Sequence, residues 1–259
     1  MLSAGLRRVA EYQDLEYAAE YLALVEEFAA FDRKGGGEAQ AHLLVVEAAR
    51  HVANAMAYDD VIRVADLKTR SSRFERIERE MGRKPGQILH ITEFMHPRPD
   101  EVRAMMPAAL GRAMERSRAG RKLLERLFSS GKRVRTDTVR WYALLSIVAG
   151  LRRWRRGTLR HAAEIAHRDA WLDRVRAAAA RPDYMLAVEL LRTRRLVKGY
   201  SDTHARGQSK FDQVMAASDR MAGREFAATW IRLLREAALR DDETGHALAD
   251  TLRTVDTLL

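Results

Sequence analysis

Few residues in this chain can stop a helix. Five prolines and 15 glycines are spread over 259 residues, and the apolar side chains between them recur at three- and four-residue steps. That spacing collects them on one face of an α-helix. Tyr17, Tyr21, Leu24, Phe28 and Phe31 predict one long N-terminal helix. It should end at Lys34-Gly35-Gly36-Gly37, a flexible connector with nothing to hold it helical. A second helix is expected over 38–57, and a third over 58–81 with Leu67, Phe74, Ile77 and Met81 on one face and Gly82 as its stop. Residues 138–153 are apolar nearly all round, which predicts a deeply buried helix. Residues 158–181 carry Ile165, Leu172, Val175 and Ala179 on one face. Pro182 suits the first turn of the next helix, with Leu186, Leu190 and Val197 turned inward. The last runs are Phe211 to Met221, then Phe226, Trp230, Leu233 and Ala237, then Leu248, Leu252, Val255 and Leu259.

Two stretches depart from this spacing. Residues 86–94 (GQILHITEF, closed by Pro97 and Pro99) are rich in β-formers, and residues 131–139 (GKRVRTDTV) alternate polar and apolar positions. Residues 87–94 and 132–139 are expected to pair as a small antiparallel ribbon. The fold class is therefore mainly α: a multi-helix globular bundle with one two-stranded ribbon. It reads as a single helical domain over 1–259, with a subdivision near 82–100. There is no internal repeat.

Composition removes several chemistries. With no cysteine, the chain offers no disulfide, no thiolate nucleophile and no cysteine ligand for zinc or iron–sulfur clusters. The opening residues lack a long apolar run, so no secretory signal is expected. The longest apolar stretch, 141–151, is shorter than the roughly 20 residues a bilayer requires. The chain reads as soluble and cytoplasmic, with no membrane contact. Its formal net charge is +10, but the basic residues, mostly Arg, are spread along its length, and dispersed charge gives no coherent nucleic-acid footprint.

Motif searches narrow the field further. Glu164 and His167 have Glu-x-x-His spacing, with His161 a turn earlier, but the second such motif of a carboxylate-bridged di-iron bundle is missing. These residues read as a solvated helix face, and no metal site is expected. There is no Gly-x-Ser-x-Gly elbow, no dinucleotide fingerprint and no phosphate loop. Ser201, Asp202 and His204 lie too close in sequence for a triad. No catalytic residue is assigned.

Two segments remain dense in functional groups. In the first, Lys198, Gly199, Tyr200, Asp202, Thr203, His204 and Arg206 lie between helical runs. Gly199 can adopt the left-handed conformation that closes a helix, and Ser201, Asp202 or Thr203 can cap the next. A helix N-terminus flanked by cations would attract an anion; a plain helix–helix connector explains the same residues. In the second, Tyr58, Asp59, Asp60, Arg63, Asp66 and Lys68 make a candidate interface helix. There the Asp59–Arg63 and Asp66–Arg70 spacings stabilise a helix without implying chemistry. The cluster RRWRR at 152–156 is the one compact basic run with an aromatic. It can complement the negative end of the preceding helix or contact nucleic acid, phosphate on Arg and bases on Trp.

Taken together, these segments resemble the C-terminal part of the indolepyruvate oxidoreductase subunit beta family, among the 2-oxoacid:ferredoxin oxidoreductases. The similarity rests on RVAEYQD at 8–14, Tyr17-Ala18, Tyr21-Leu22, MAYDDVIRVADLK at 56–68, Arg73-Phe74, PAALG at 107–111, RRWRR at 152–156, Leu159-Arg160, RLVKGY at 195–200, DTH at 202–204 and Arg206-Gly207. It covers nearly the whole chain, in order; Ser201 departs from the family's usual Gly. The resemblance implies oxidative decarboxylation of an aryl 2-oxoacid to an acyl-coenzyme A, with thiamine diphosphate and iron–sulfur clusters on a catalytic alpha subunit and no cofactor on this chain. It also implies an α/β gamma-type domain as a partner, since the matched region is the helical extension that follows that domain. The expected role is an accessory or structural one, docking on the catalytic subunits through 198–206 and 58–68. The alternatives are a basic helical nucleic-acid-binding module, or a truncated remnant of the longer subunit.

Overall fold

The computed structural model describes residues 1–84, 86–87, 89–95, 98–128, 132–181, 183–199, 202–241 and 246–257. The chain is mainly helical and divides into two compact units: unit 1 comprises Met1–Tyr58 and Ile165–Leu259, unit 2 Asp59–Glu164. Residues 82–100 lie inside unit 2.

Unit 1 begins with α1 (Leu2–Tyr12), α2 (Leu15–Lys34) and α3 (Leu43–Met56). The first break comes at Asp14, whose carboxylate accepts the backbone N–H of Tyr17 at 2.8 Å and starts α2 as its N-cap. Tyr17, Tyr21 and Phe28 are buried as their spacing requires, with Leu24 and Phe31 packed at the edge of the core. The second helix starts at Leu43 rather than 38, because residues Gly37–Gln40 form a 3₁₀ turn. The glycine connector is not free either. Buried Asp32 accepts from the Tyr184 hydroxyl at 2.8 Å and lies 2.8 Å from His42 Nδ1, which ties both ends of the turn down.

Unit 2 contains α4 (Val61–Thr69), α5 (Ser71–Glu80), β1 (Thr92–Met95), α6 (Pro99–Ala104), α7 (Ala108–Arg116), α8 (Arg118–Phe128), β2 (Lys132–Arg135) and α9 (Val139–Gly150), followed by a 3₁₀ segment at Leu151–Gly157. The helix expected over 58–81 is broken at Arg70, whose ψ of 136° is extended. There the Thr69 hydroxyl turns back onto the carbonyls of Ala65 and Asp66. No residue of α5 is buried: of the face expected on that helix, Phe74 and Ile77 are half-buried, with the Phe74 ring 6.2 Å from that of Tyr142, and Leu67 and Met81 are exposed.

The ribbon is present and antiparallel, with Thr92 opposite Arg135 and Phe94 opposite Arg133. It is shorter than 87–94 with 132–139. After Arg135 the chain turns, because the Asp137 carboxylate takes both the Arg135 guanidinium and His90 Nδ1 at 2.8 Å. Ile88, Pro97 and Gly131 lie outside the described residues. Alternation holds where the strand exists: Val134 is buried between exposed Arg133 and Arg135.

The largest correction concerns α9. The helix expected to be deeply buried has no buried residue, and Val139 is 86% and Ile147 65% exposed. Among the described elements it packs mainly on α4, which covers one side of a helix that is apolar nearly all round. Trp141, Leu145 and Val148 are half-buried; α9 packs on α4, with the Tyr142 hydroxyl donating to the Thr69 carbonyl at 3.2 Å.

Unit 1 resumes at Ile165, within α10 (Leu159–Ala180), and closes with α11 (Tyr184–Arg192), a 3₁₀ turn at Thr193–Leu196, α12 (Asp202–Arg220), α13 (Ala227–Arg240) and α14 (His246–Asp256). Pro182 and Leu259 lie outside the described residues, and the described cap of α11 is Asp183. Trp171, Leu172, Val175, Leu190, Leu191, Phe211, Val214, Ile231 and Leu234 join α1–α3 in one core. The Trp171 indole donates to the Leu190 carbonyl at 2.8 Å, so its one polar atom is satisfied inside. Among the described residues, no helix is long and apolar enough to cross a membrane.

Among the described glycines, the tightest fit against backbone is at Gly207 in α12, where an added Cβ would sit 2.3 Å from the Leu196 carbonyl oxygen. Gly207→Ala is expected to lower stability by about 1–3 kcal/mol, the usual range for overpacking. Gly157→Ala, whose Cβ meets nothing within 4 Å, should be near neutral. Urea denaturation of the two variants checks this; equal midpoints would contradict the close packing.

Candidate functional site

The connector after the Thr193–Leu196 turn has the expected helix-closing geometry: Gly199 has a φ of +77°. Tyr200 and Ser201 lie outside the described residues. Asp202, Thr203 and His204 form the first turn of α12. Lys198, Asp202, Thr203 and Arg206 are exposed, whereas His204 is buried. This segment belongs to unit 1.

The second segment divides between structural tasks. Tyr58 is buried in unit 1, its ring edge-on to Tyr12 with centroids 5.4 Å apart. Asp59 is exposed at the start of unit 2. Asp60 does two jobs. One carboxylate oxygen accepts the Arg63 backbone N–H at 2.6 Å, capping α4. The carboxylate also holds the guanidinium of Arg155, at 2.8 Å to Nε and 3.3 Å to the terminal nitrogen. Both partners are buried, and the two-pronged geometry is the strong form of this pairing. Along α4, Asp66 gathers Arg63 at 2.9 Å and Arg70 at 2.7 Å. Tyr58 and Asp60 are therefore interior residues rather than parts of an exposed interface.

Lys68 leaves the helix surface to meet Glu93 of β1, which also takes Arg73. Burial, and then the neighbouring Arg73 charge, lower the Lys68 pKa from its usual value. Thr136 Oγ1 donates to the same Glu93 at 3.4 Å. The ribbon is thus clamped to α4 and α5 through one carboxylate.

Of the basic run at 152–156, Arg155 is withdrawn into the pair with Asp60, so a phosphate-binding surface there lacks that cation. Arg153 stacks over exposed Trp154 at 4.2 Å. Glu164 is not on a solvated face: it is buried and takes Arg160 at 2.7 Å, and His161 is buried as well. Among the described residues, no group of three or more His, Asp or Glu side chains could hold a metal ion.

One cluster escaped the sequence reading. Inside unit 1, Glu47 of α3 receives Arg192 of α11 at 3.1 Å, Arg192 also reaches Glu189 at 2.8 Å, and Glu189 takes Arg235 of α13 at 2.9 Å. Glu47, Glu189 and Arg235 are buried, as is His51, whose Nε2 lies 3.2 Å from Glu47. The available signal was polar residues at helical spacing on otherwise apolar helices: Glu47 with His51, and Glu189 with Arg192. The cluster joins three helices by charge where apolar contacts would otherwise do so. The adjacent His51 ring, then Arg192 and Arg50, hold the Glu47 carboxylate at about 2 instead of 4.5, against burial, which acts in the opposite sense.

Two outcomes follow from these pairs. Because Glu47 titrates lower in the folded chain than in the unfolded one, its contribution to stability is present above about pH 4.5 and is lost as pH falls toward 2. Urea midpoints of Glu47→Gln should accordingly fall less than wild type between pH 5 and pH 3; parallel declines would show that Glu47 is not the responsible group. Asp60→Ala should cost about 3–5 kcal/mol by stranding a buried guanidinium. Adding Arg155→Leu should recover part of that loss, since an apolar replacement removes the stranded charge. A single-variant loss below about 1 kcal/mol would mark the pair as no stronger than a surface one.

No curated protein and no solved structure matches the chain. Residues 1–217, spanning both units, match the family of unknown function DUF6537. The chain belongs to that family.

Proposed function

We propose that this chain is a cytoplasmic accessory part of an indolepyruvate-type 2-oxoacid oxidoreductase, with the active site, thiamine diphosphate and iron–sulfur clusters on a partner alpha subunit. It docks on that subunit and on a gamma-type domain, and the exposed Lys198, Asp202 and Arg206 are its proposed contact on unit 1. The reaction served is the oxidative decarboxylation of an aryl 2-oxoacid to its acyl-coenzyme A.

One observation carries the accessory role. The segments similar to the oxidoreductase subunit meet one another as joints of the scaffold. Asp60 of the 56–68 segment grips Arg155 of the 152–156 segment. Pro107 bridges Thr158, and Gly111 of the same PAALG stretch leaves no room for a Cβ against Leu159. Gly207 does the same against Leu196. Residues that hold a body in shape serve a catalyst by supporting its assembly, and their carboxylates and guanidinia are already committed to each other.

Co-expression with an alpha-like catalytic subunit encoded beside it should give a complex that survives gel filtration. Indolepyruvate- and coenzyme A-dependent reduction of an electron acceptor should then require both chains. Turnover by the isolated chain would refute the accessory assignment, and failure of the two to co-purify would refute the partnership.

A further inference from the structure

We infer that α9 is a docking ridge for an acidic amphipathic helix of another protein. This goes beyond the role proposed above and does not depend on which enzyme the chain serves.

The inference starts from where apolar side chains are left. Of the described apolar residues of unit 2, only Ile62, Ala65, Leu124 and Val134 are buried, while Val139, Tyr142, Leu144, Ile147 and Trp154 stand exposed along one continuous stretch. Exposed apolar surface on this scale marks an interaction site. On α9 the helical repeat sets Val139, Ala143 and Ile147 in one row, with Gly150 nearby and Leu144 beside it; all five are exposed. A row of residues four apart is the ridge that enters the groove of a second helix. The opposite face, Trp141, Leu145 and Val148, is half-buried, and contact with α4 holds α9 in place. The ridge is thus displayed on a fixed element about 18 Å long, room for three turns of a partner.

Charge complementarity selects the occupant. Residues 139–157 contain Arg140, Arg152, Arg153, Arg155 and Arg156 and no carboxylate. Arg155 is consumed by Asp60, but exposed Arg140 near one end and Arg153 beyond the other still flank the apolar row. An occupant with carboxylates beside its apolar stripe answers both features. A second copy of this chain does not, because it would set arginine against arginine between molecules that each carry +10. An anionic bilayer would satisfy the charges. However, the small side chains at Ala143 and Gly150 permit close approach of another backbone, which matters to a packed helix and not to lipid.

The probe is a labelled synthetic helical peptide of about 18 residues with a Leu/Ala stripe flanked by Glu, tested against the full chain by fluorescence anisotropy. Micromolar binding is expected, falling roughly tenfold or more in Ile147→Glu and in Ala143→Glu, and weakening as salt is raised. A peptide with Lys in place of every Glu should not bind. Both positions are exposed, so circular dichroism and the thermal midpoint should match wild type; Ile147→Gln serves as a second variant should Glu disturb the helix. The proposal fails if the acidic peptide does not bind, if the Lys peptide binds equally, or if the variants bind like wild type. Ile147-dependent adsorption to phosphatidylglycerol vesicles, or Ile147-dependent self-association in sedimentation, in place of peptide binding would also overturn it.

Discussion

The apolar stripes of unit 1 close on one another around Trp171, and every polar group those helices carry inside has to be answered there. Several of them are answered by committed partners. The Trp171 indole uses the Leu190 carbonyl, the Tyr21 hydroxyl uses the Ala49 carbonyl, and Asp32 is shared by Tyr184 and His42. Buried charge is handled by alternation of sign through Glu47, Arg192, Glu189 and Arg235. A buried ion network of this kind adds little net stability over apolar packing, but each member becomes costly to remove because its neighbour is left unpaired. The register of α3, α11 and α13 is thereby fixed as well as their contact.

Unit 2 is built on the opposite balance. Few of its apolar residues are buried, and two carboxylates organise it. Asp60 couples the start of α4 to Arg155, some ninety residues further along the chain, and Glu93 couples the ribbon to Lys68 and Arg73. Directional contacts of this kind specify geometry without needing much buried area. The apolar surface that such a unit leaves uncovered is then available to something else, which is why α9 and the docking role belong to the same physical argument.

Much of the helical architecture was legible because periodicity reports local structure faithfully. The faces of α2, α10 and α12 point inward as their spacing requires, and the ribbon follows from the alternation around Val134; on α13 the buried row is Ala227, Ile231, Leu234 and Ala238, and Phe226, Trp230 and Leu233 are only half-buried. Breaks were less legible: Arg70 ends α4 through Thr69 back-bonding, a local competition that spacing does not register. The segments at 58–68 and 198–206 stood out for their density of polar groups. Density does not distinguish a side chain offered to a partner from one spent inside, and Tyr58, Asp60 and His204 are spent inside.

The sequence by itself determined the class of the fold, most of the inward faces of unit 1 and the absence of cysteine chemistry, because these depend on residue type and on neighbours three or four positions away. Only the tertiary structure decided that Asp60 meets Arg155, that Glu47 heads a buried ion chain, and that α9 stands in the open. Each of these depends on which distant element arrives beside a given face. A helix that is apolar all round states its need for cover, and nothing within its own turns says whether the chain supplies it.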